Sequence, residues 1–314
     1  MAVMVPPFSG DPATELYRKG EQHMLRGELD DAEQCFEAAI AANRRFSAAY
    51  LHLAILHRLR QQPELARQQF LKLLVIIPEE PAALAGLAEV CFELKQWEDA
   101  LTWARRAQER GAPAMDAIIG MSYAALDQPA EAIRAIERSL RDDPWQPALR
   151  IKLARLHAQE ENYAAALRIY EEALKTDSTS ADLYLESGMM HFNMENYKNA
   201  AGAFEMAARY GTSGDADLYA NLGVAYLQQA AYADAIQNLQ KALQIRPSDI
   251  KIMQQLAHAF FKQQNYSQAA MQWNRILVLQ PQNAFAMFML GKSYICSGEV
   301  VKGQRICDQA LQLH

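Results

Sequence analysis

Apolar residues fall at helical spacing in short runs along the whole chain, and short polar turns separate the runs. Two stretches show the rule behind the pattern. "LGVAYLQQAAYADAIQNLQKALQIRP" (222–247) and "LAHAFFKQQNYSQAAMQWNRILVLQP" (256–281) align without a gap at an offset of 34 residues. Each opens with Leu and a small residue, passes through an aromatic, a Tyr and an Ala, and closes on Pro. Extending that frame gives nine units, beginning near Ala13, Ser47, Pro81, Pro113, Pro147, Ala181, Ala216, Ile250 and Ala284. Each unit holds two helical runs, so the pattern predicts eighteen helices in antiparallel pairs.

Two positions in every unit stay small. The eighth reads Gly20, Ala54, Ala88, Gly120, Ala154, Gly188, Gly223, Ala257 and Gly291. The twentieth reads Ala32, Ala66, Ala100, Ala132, Ala166, Ala200, Ala235, Ala269 and Gly303. Close approach of two helices requires small side chains where they cross, so these positions mark the predicted crossing. The turns fit the same frame. Gly27, Gly298, Asn162, Asn196 and Asn265 fall between the two helices, where Gly, and less readily Asn, accepts a left-handed backbone. Pro78, Pro144, Pro247 and Pro281 stop the second helices, since Pro cannot continue one. Asp11-Pro12 reads as a cap followed by Pro at the first helical position.

The skeleton Leu-Gly/Ala…Tyr…Ala…Phe…Ala…Pro resembles the tetratricopeptide repeat. The seventh unit carries it through Tyr219, Leu222, Gly223, Tyr226, Ala235, Ala242 and Pro247. Lys19, Ser187, Ala104 and Gly303 depart from it locally. The resemblance implies an all-α fold: an α-solenoid of stacked antiparallel helix pairs wound into a right-handed superhelix. A lone pair cannot bury its apolar face, whereas stacked pairs can. The expected organisation is a poorly ordered tail over 1–12, then one solenoid over 13–314. Its repeats are 13–46, 47–80, 81–112, 113–146, 147–180, 181–215, 216–249, 250–283 and 284–314. First helices would line the concave face.

Composition narrows function by exclusion. A net charge of -6 with no basic run argues against nucleic acid as partner. Cys35, Cys91, Cys296 and Cys307 are scattered, without zinc-ligand spacing. The N-terminus lacks the features of a secretory signal, and runs such as "LLVII" (73–77) are too short to span a bilayer. The expected setting is cytoplasmic, without membrane insertion. His23, His57, His157 and His191 share the eleventh position and are expected to fill the core. Tyr163, Tyr197, Tyr232 and Tyr266 are expected to start second helices. "GTSGD" (211–215) reads as a linker. No nucleophile elbow, phosphate loop or HExxH motif occurs, so no enzyme, metal or cofactor is expected.

The remaining candidate is the groove that the resemblance places along the first helices. Its expected partner-binding residues are Lys152, Arg155, Phe192, Asn193, Asn221, Lys251, Gln255, His258, Phe261, Lys262, Phe285, Phe288 and Lys292. The family's carboxylate clamp is incomplete: Asn221 and Lys251 fit, but Leu185, Met189 and Gln255 do not. Toward the C-terminus Lys251, Lys262 and Lys292 accompany Phe261, Phe285 and Phe288, with no acid in the groove. An extended protein segment carrying acidic and apolar residues is the expected partner. The expected function is a non-catalytic interaction scaffold or adaptor. A regulatory or targeting domain of a larger enzyme or complex, and a peptide-sensing regulator, stand as alternatives. The last unit is expected to leave a face of Tyr294, Cys307 and Leu311 open. Self-association, membership of a longer chain, or a simply tolerated patch would each account for it.

Overall fold

In the computed structural model, residues 11–211 and 214–313 are described; the tail expected over 1–12 lies almost wholly outside them, as does the centre of the "GTSGD" linker. The described residues contain helices and no strand. They form two compact units, one ending at Leu156 and the other starting at His157. The first holds α1 (Pro12–Leu25), α2 (Leu29–Ala42), α3 (Ser47–Leu59), α4 (Pro63–Ile76), α5 (Pro81–Glu93), α6 (Trp97–Glu109), α7 (Met115–Ala125) and α8 (Pro129–Asp142). The division falls within α9 (Pro147–Gln159). The second unit continues with α10 (Tyr163–Thr176), α11 (Ala181–Asn193), α12 (Tyr197–Tyr210), α13 (Ala216–Gln228) and α14 (Tyr232–Ile245). It ends with α15 (Ile250–Lys262), α16 (Tyr266–Leu279), α17 (Ala284–Cys296) and α18 (Val300–Leu311).

From α1 to α8, and from α10 to α18, each helix packs against the next. First helices of successive pairs also meet, α3 with α5, α5 with α7 and α13 with α15. This is α-solenoid packing in each unit. All eighteen small positions are buried. Their partners are the large residues sixteen places after the first notch. Phe36, Phe70, Tyr170, Phe204, Leu239 and Trp273 are at most 1% exposed. A side-chain carbon on Gly20 would stand 2.6 Å from the ring of Phe36, so the notch exists to admit the ring. Burying each such side chain contributes about 1.5–3 kcal/mol. In the third pair Ala104 takes that slot and is itself fully buried.

The helix stops agree with the proline positions. α4, α8, α14 and α16 end two residues before Pro78, Pro144, Pro247 and Pro281. Asp11 caps α1, accepting from the Ala13 N–H at 3.4 Å, with Pro12 in the first turn. The four tyrosines do open α10, α12, α14 and α16.

Four local expectations are corrected. The asparagines between helices are not left-handed. Asn162, Asn196 and Asn265 have φ of -83°, -85° and -86° and stand at the N-cap of the second helix. Only Asn265 caps with its side chain, accepting from the Gln268 N–H. The left-handed residue is one place earlier, and in seven of the nine turns it is not glycine: Gln61, Lys95, Asp127, Glu161, Glu195, Ala230 and Gln264. Second, the helix expected from near Pro113 starts only at Met115, because Ala114 is left-handed (φ 60°) and stands at its N-cap. Third, Cys307 does not belong to an open face. It lies under Gly291, 7% exposed, its Sγ 3.6 Å from the Phe288 carbonyl, while Leu311 is exposed. Fourth, His23 is not a core filler. It is half-buried and pairs with Glu28 at 2.6 Å, whereas His57 is buried as expected.

Candidate functional site

In the second unit α13, α15 and α17 are successive first helices. Their shared register brings one side of each helix to a common face. Between α13 and α15 lies an open cleft of about 520 Å³, lined by Asn221, Lys251 and Gln255 with Val224 and Ile250. Three of the expected residues therefore meet in one place. One wall is fixed by Arg246, which pairs with Asp217 and lies 3.4 Å from Asp249. Asp249 also caps α15 by accepting from the N–H groups of Lys251 and Ile252. Asn221 donates to Met189 Sδ at 3.3 Å, which orients the amide toward α11.

Further along the face, the Lys292 ammonium sits 5.5 Å from the centre of the Phe261 ring. Such a contact favours the cation without neutralising it. Phe261 meets Tyr266 edge-on at 5.2 Å. Phe285 stands edge-on to the buried Trp273 at 5.7 Å, yet 59% of its own surface is exposed. Phe288 is 42% exposed. The imidazole of His258 is pushed below its ordinary pKa by burial, with the nearby Lys262 adding to the shift. Lys251, Lys262 and Lys292 have no ion pair with an acid among the described residues.

The other expected residues are not part of this cluster. Phe192, next to last in α11, packs edge-on against Tyr197 at 5.4 Å, while Asn193 beside it is exposed. Lys152 and Arg155 lie on α9 within the first unit. In that unit the first-helix face is cross-linked by charge. Arg58 of α3 pairs with Glu89 and, at 2.8 Å, with Glu93, both on α5. The Tyr17 hydroxyl donates to Glu21 at 2.8 Å and lies 3.1 Å from His52 Nδ1. Burial, then the Glu21 carboxylate, push the Tyr17 pKa up. Leu25 and Leu59, outside the expected set, are 88% and 61% exposed. Both hold the thirteenth position of their units, where the other seven units carry polar or small residues, and that contrast is readable in the sequence.

His23, Glu28 and Asp31 present ligand-type atoms within 4.8 Å of one another, but His23 and Glu28 already form a direct pair on the exposed rim of α1 and α2. Among the described residues no helix is long and apolar enough to cross a membrane.

Sequence profiles of the tetratricopeptide repeat match residues 17–81, 75–115, 123–184 and 216–249, more than half of the chain. The chain belongs to the tetratricopeptide repeat family. Solved structures share the fold. The C-terminal part of a tetratricopeptide repeat-containing protein from Cytophaga hutchinsonii gives a TM-score of 0.58 at 16% identity, covering 76% of this chain and 99% of that one. A tetratricopeptide repeat protein from Parabacteroides merdae gives 0.51 at 20% identity, covering 80% and 100%. PilF of Pseudomonas aeruginosa gives 0.51 at 20% identity, covering 63% and 91%. At these identities the likeness concerns the fold alone. No curated protein matches the sequence. Tetratricopeptide repeats as a family are protein-interaction modules, and the face of α13, α15 and α17 is where this chain offers unpaired charge beside exposed aromatic surface.

Proposed function

We propose that the chain is a non-catalytic interaction scaffold that captures an extended protein segment bearing acidic and apolar residues, along α13, α15 and α17. One observation carries this: Lys251, Lys262 and Lys292 have no acidic partner among the described residues, while Phe285 and Phe288 beside them stay exposed. An unpaired cation beside apolar surface favours a ligand that supplies both a carboxylate and a side chain to bury. The cleft at Asn221, Lys251 and Gln255 offers donors suited to a backbone carbonyl or a carboxylate.

The test is fluorescence anisotropy with three labelled probe peptides of equal length. One alternates Asp and Phe, one alternates Lys and Phe, and one alternates Asp and Ser. The first should bind, weakening as salt rises, and the others should not. Equal binding of the Lys and Asp probes contradicts the proposal. A regulatory or targeting role within a larger complex would use the same face and differ only in what the scaffold is attached to.

A further inference from the structure

The turn between α1 and α2 gathers three groups that can ligate a metal. His23 stands in the last turn of α1, Glu28 at the N-cap of α2 and Asp31 in the first turn of α2. One donor atom from each lies within 4.8 Å of the other two. Glu28 does not cap the helix with its side chain but turns to the imidazole, 2.6 Å away. Asp31 makes no hydrogen bond or ion pair among the described residues.

The charge here lacks a fixed counter-charge. Asp30 and Glu33, on the same end of α2, are both paired with Arg60. Among the described residues no Lys or Arg pairs with Glu28 or Asp31. Two carboxylates held this close repel each other and favour a cation between them.

The three residues hold the eleventh, sixteenth and nineteenth positions of the first unit. No other unit places a histidine and two acids there. Where histidine recurs at the eleventh, as His57, His157 and His191, the sixteenth is Gln62, Asn162 or Asn196. His57 shows the uncharged version, with its Nδ1 3.1 Å from the Gln62 amide oxygen.

The ninth unit shows what sits beside a glutamate at the sixteenth position. Its turn has the same backbone. The Glu299 N–H donates to the Tyr294 carbonyl at 2.9 Å after left-handed Gly298, as the Glu28 N–H donates to the His23 carbonyl at 2.9 Å after left-handed Gly27. There the nineteenth residue is Lys302, whose ammonium lies 2.9 Å from Glu299 and 3.5 Å from the centre of the Tyr294 ring. A cation therefore sits among the side chains of these three positions, and the nineteenth residue supplies it. The first unit repeats this cradle with an imidazole in place of the phenol ring and a carboxylate in place of the amine. Its cation has to come from solution.

We propose that His23, Glu28 and Asp31 bind a divalent metal ion of the zinc class. One imidazole nitrogen with two carboxylate oxygens suits zinc and its first-row neighbours, whereas magnesium and calcium favour oxygen throughout. Tetrahedral bonds of about 2.0–2.2 Å set ligand atoms about 3.3 Å apart. Small rotations of the exposed Glu28 and Asp31 side chains meet that spacing, with the ion taking the place of the proton between His23 and Glu28 and water filling the fourth position. The ion ties the end of α1 to the start of α2. The site is independent of the binding proposed along α13, α15 and α17.

Histidine-ring NMR of the full chain, stripped with a chelator and titrated with Zn²⁺, tests this. The His23 ring signals, assigned with His23→Gln, should move as zinc is added, and the half-shift concentration reads the affinity. Glu28→Gln and Asp31→Asn keep side-chain shape but remove a ligand charge, and each should weaken zinc at least about tenfold. Asp30→Asn removes the same charge one residue outside the donor set and should leave the affinity unchanged. Excess Mg²⁺ should not displace the zinc. His23 signals unmoved by zinc would overturn the proposal, and that includes zinc taken up at the cysteines alone. Asp31→Asn binding as tightly as the unaltered chain would overturn it too. So would equal losses in Asp30→Asn and Asp31→Asn, which would mean diffuse attraction to an acidic helix start.

Discussion

Gly223 of α13 and Leu239 of α14 meet so closely that a side-chain carbon on Gly223 would stand 2.6 Å from Leu239 Cγ. The same site would place it 3.2 Å from the Ala235 carbonyl oxygen, so backbone as well as side chain limits the space. This contact is the unit from which the stack is built, because it lets two helices of one repeat close over a large apolar residue.

Filling such a notch should be costly. Ala235→Leu places three extra carbons in a fully buried slot and is expected to destabilise by about 1–3 kcal/mol. Gly202 of α12 provides the contrast, since a side-chain carbon there meets nothing within 4 Å. Gly202→Ala should stabilise by about 0.5–1 kcal/mol through helix propensity and lower unfolded-state entropy. Urea unfolding monitored by circular dichroism reads both signs.

The turns between paired helices store strain that can be relieved. Ala230 is left-handed (φ 58°) and has no polar side chain to compensate. A left-handed L-residue costs about 1–2 kcal/mol, part of which glycine returns as extra unfolded-state entropy. Ala230→Gly should therefore raise the melting temperature slightly. Ala231→Gly, one place later at the N-cap with φ -82°, should not raise it. Scanning calorimetry of the two variants separates these outcomes.

Acid should weaken the second unit through two histidines. Burial holds the pKa of His191 below the ordinary 6.5, opposed by Glu171, and burial with Lys262 does the same to His258. Each folded-state pKa lies below its unfolded value, so the folded state binds fewer protons. The contribution is fully present above pH 6.5 and is lost as pH falls through the depressed folded pKa values. Melting temperature should fall between pH 7.5 and 5, and His191→Gln should flatten that slope. An unchanged slope in the variant would remove His191 from the account. Those pH limits are roughly one unit either side of the histidine range.

The notches were legible in the sequence because helix crossing leaves no choice of side chain: eighteen positions, all small, all buried. Helix starts at Tyr163, Tyr197, Tyr232 and Tyr266 were legible from register alone. The left-handed turn was not legible, because seven of its nine residues carry no glycine signal. Packing of the paired helices, rather than local preference, dictates the backbone at Glu161 or Gln264. Cys307 was misplaced for a related reason. It stands sixteen places after Gly291, in the inward slot that Phe36, Phe70 and Trp273 fill in other pairs, so register and not an open end decides its burial. For the site, register placed Asn221, Lys251 and Gln255 on one face. It could not show that Lys292 lies over Phe261 or that Phe285 rests on Trp273, since those contacts depend on rotamers. Leu25 and Leu59 were visible all along, but only to a comparison made across repeats instead of within one.

Whether the lysines of α15 select acidic groups, as proposed, is measured most directly by a charge-swap cycle. Lys251→Glu with Lys262→Glu should weaken the Asp–Phe probe by about tenfold, each reversal contributing up to about 1 kcal/mol at an exposed site. The same variant should gain affinity for the Lys–Phe probe that the unaltered chain rejects. Unchanged affinity for the acidic probe, or loss of it without any gain for the basic one, would contradict charge recognition at this face.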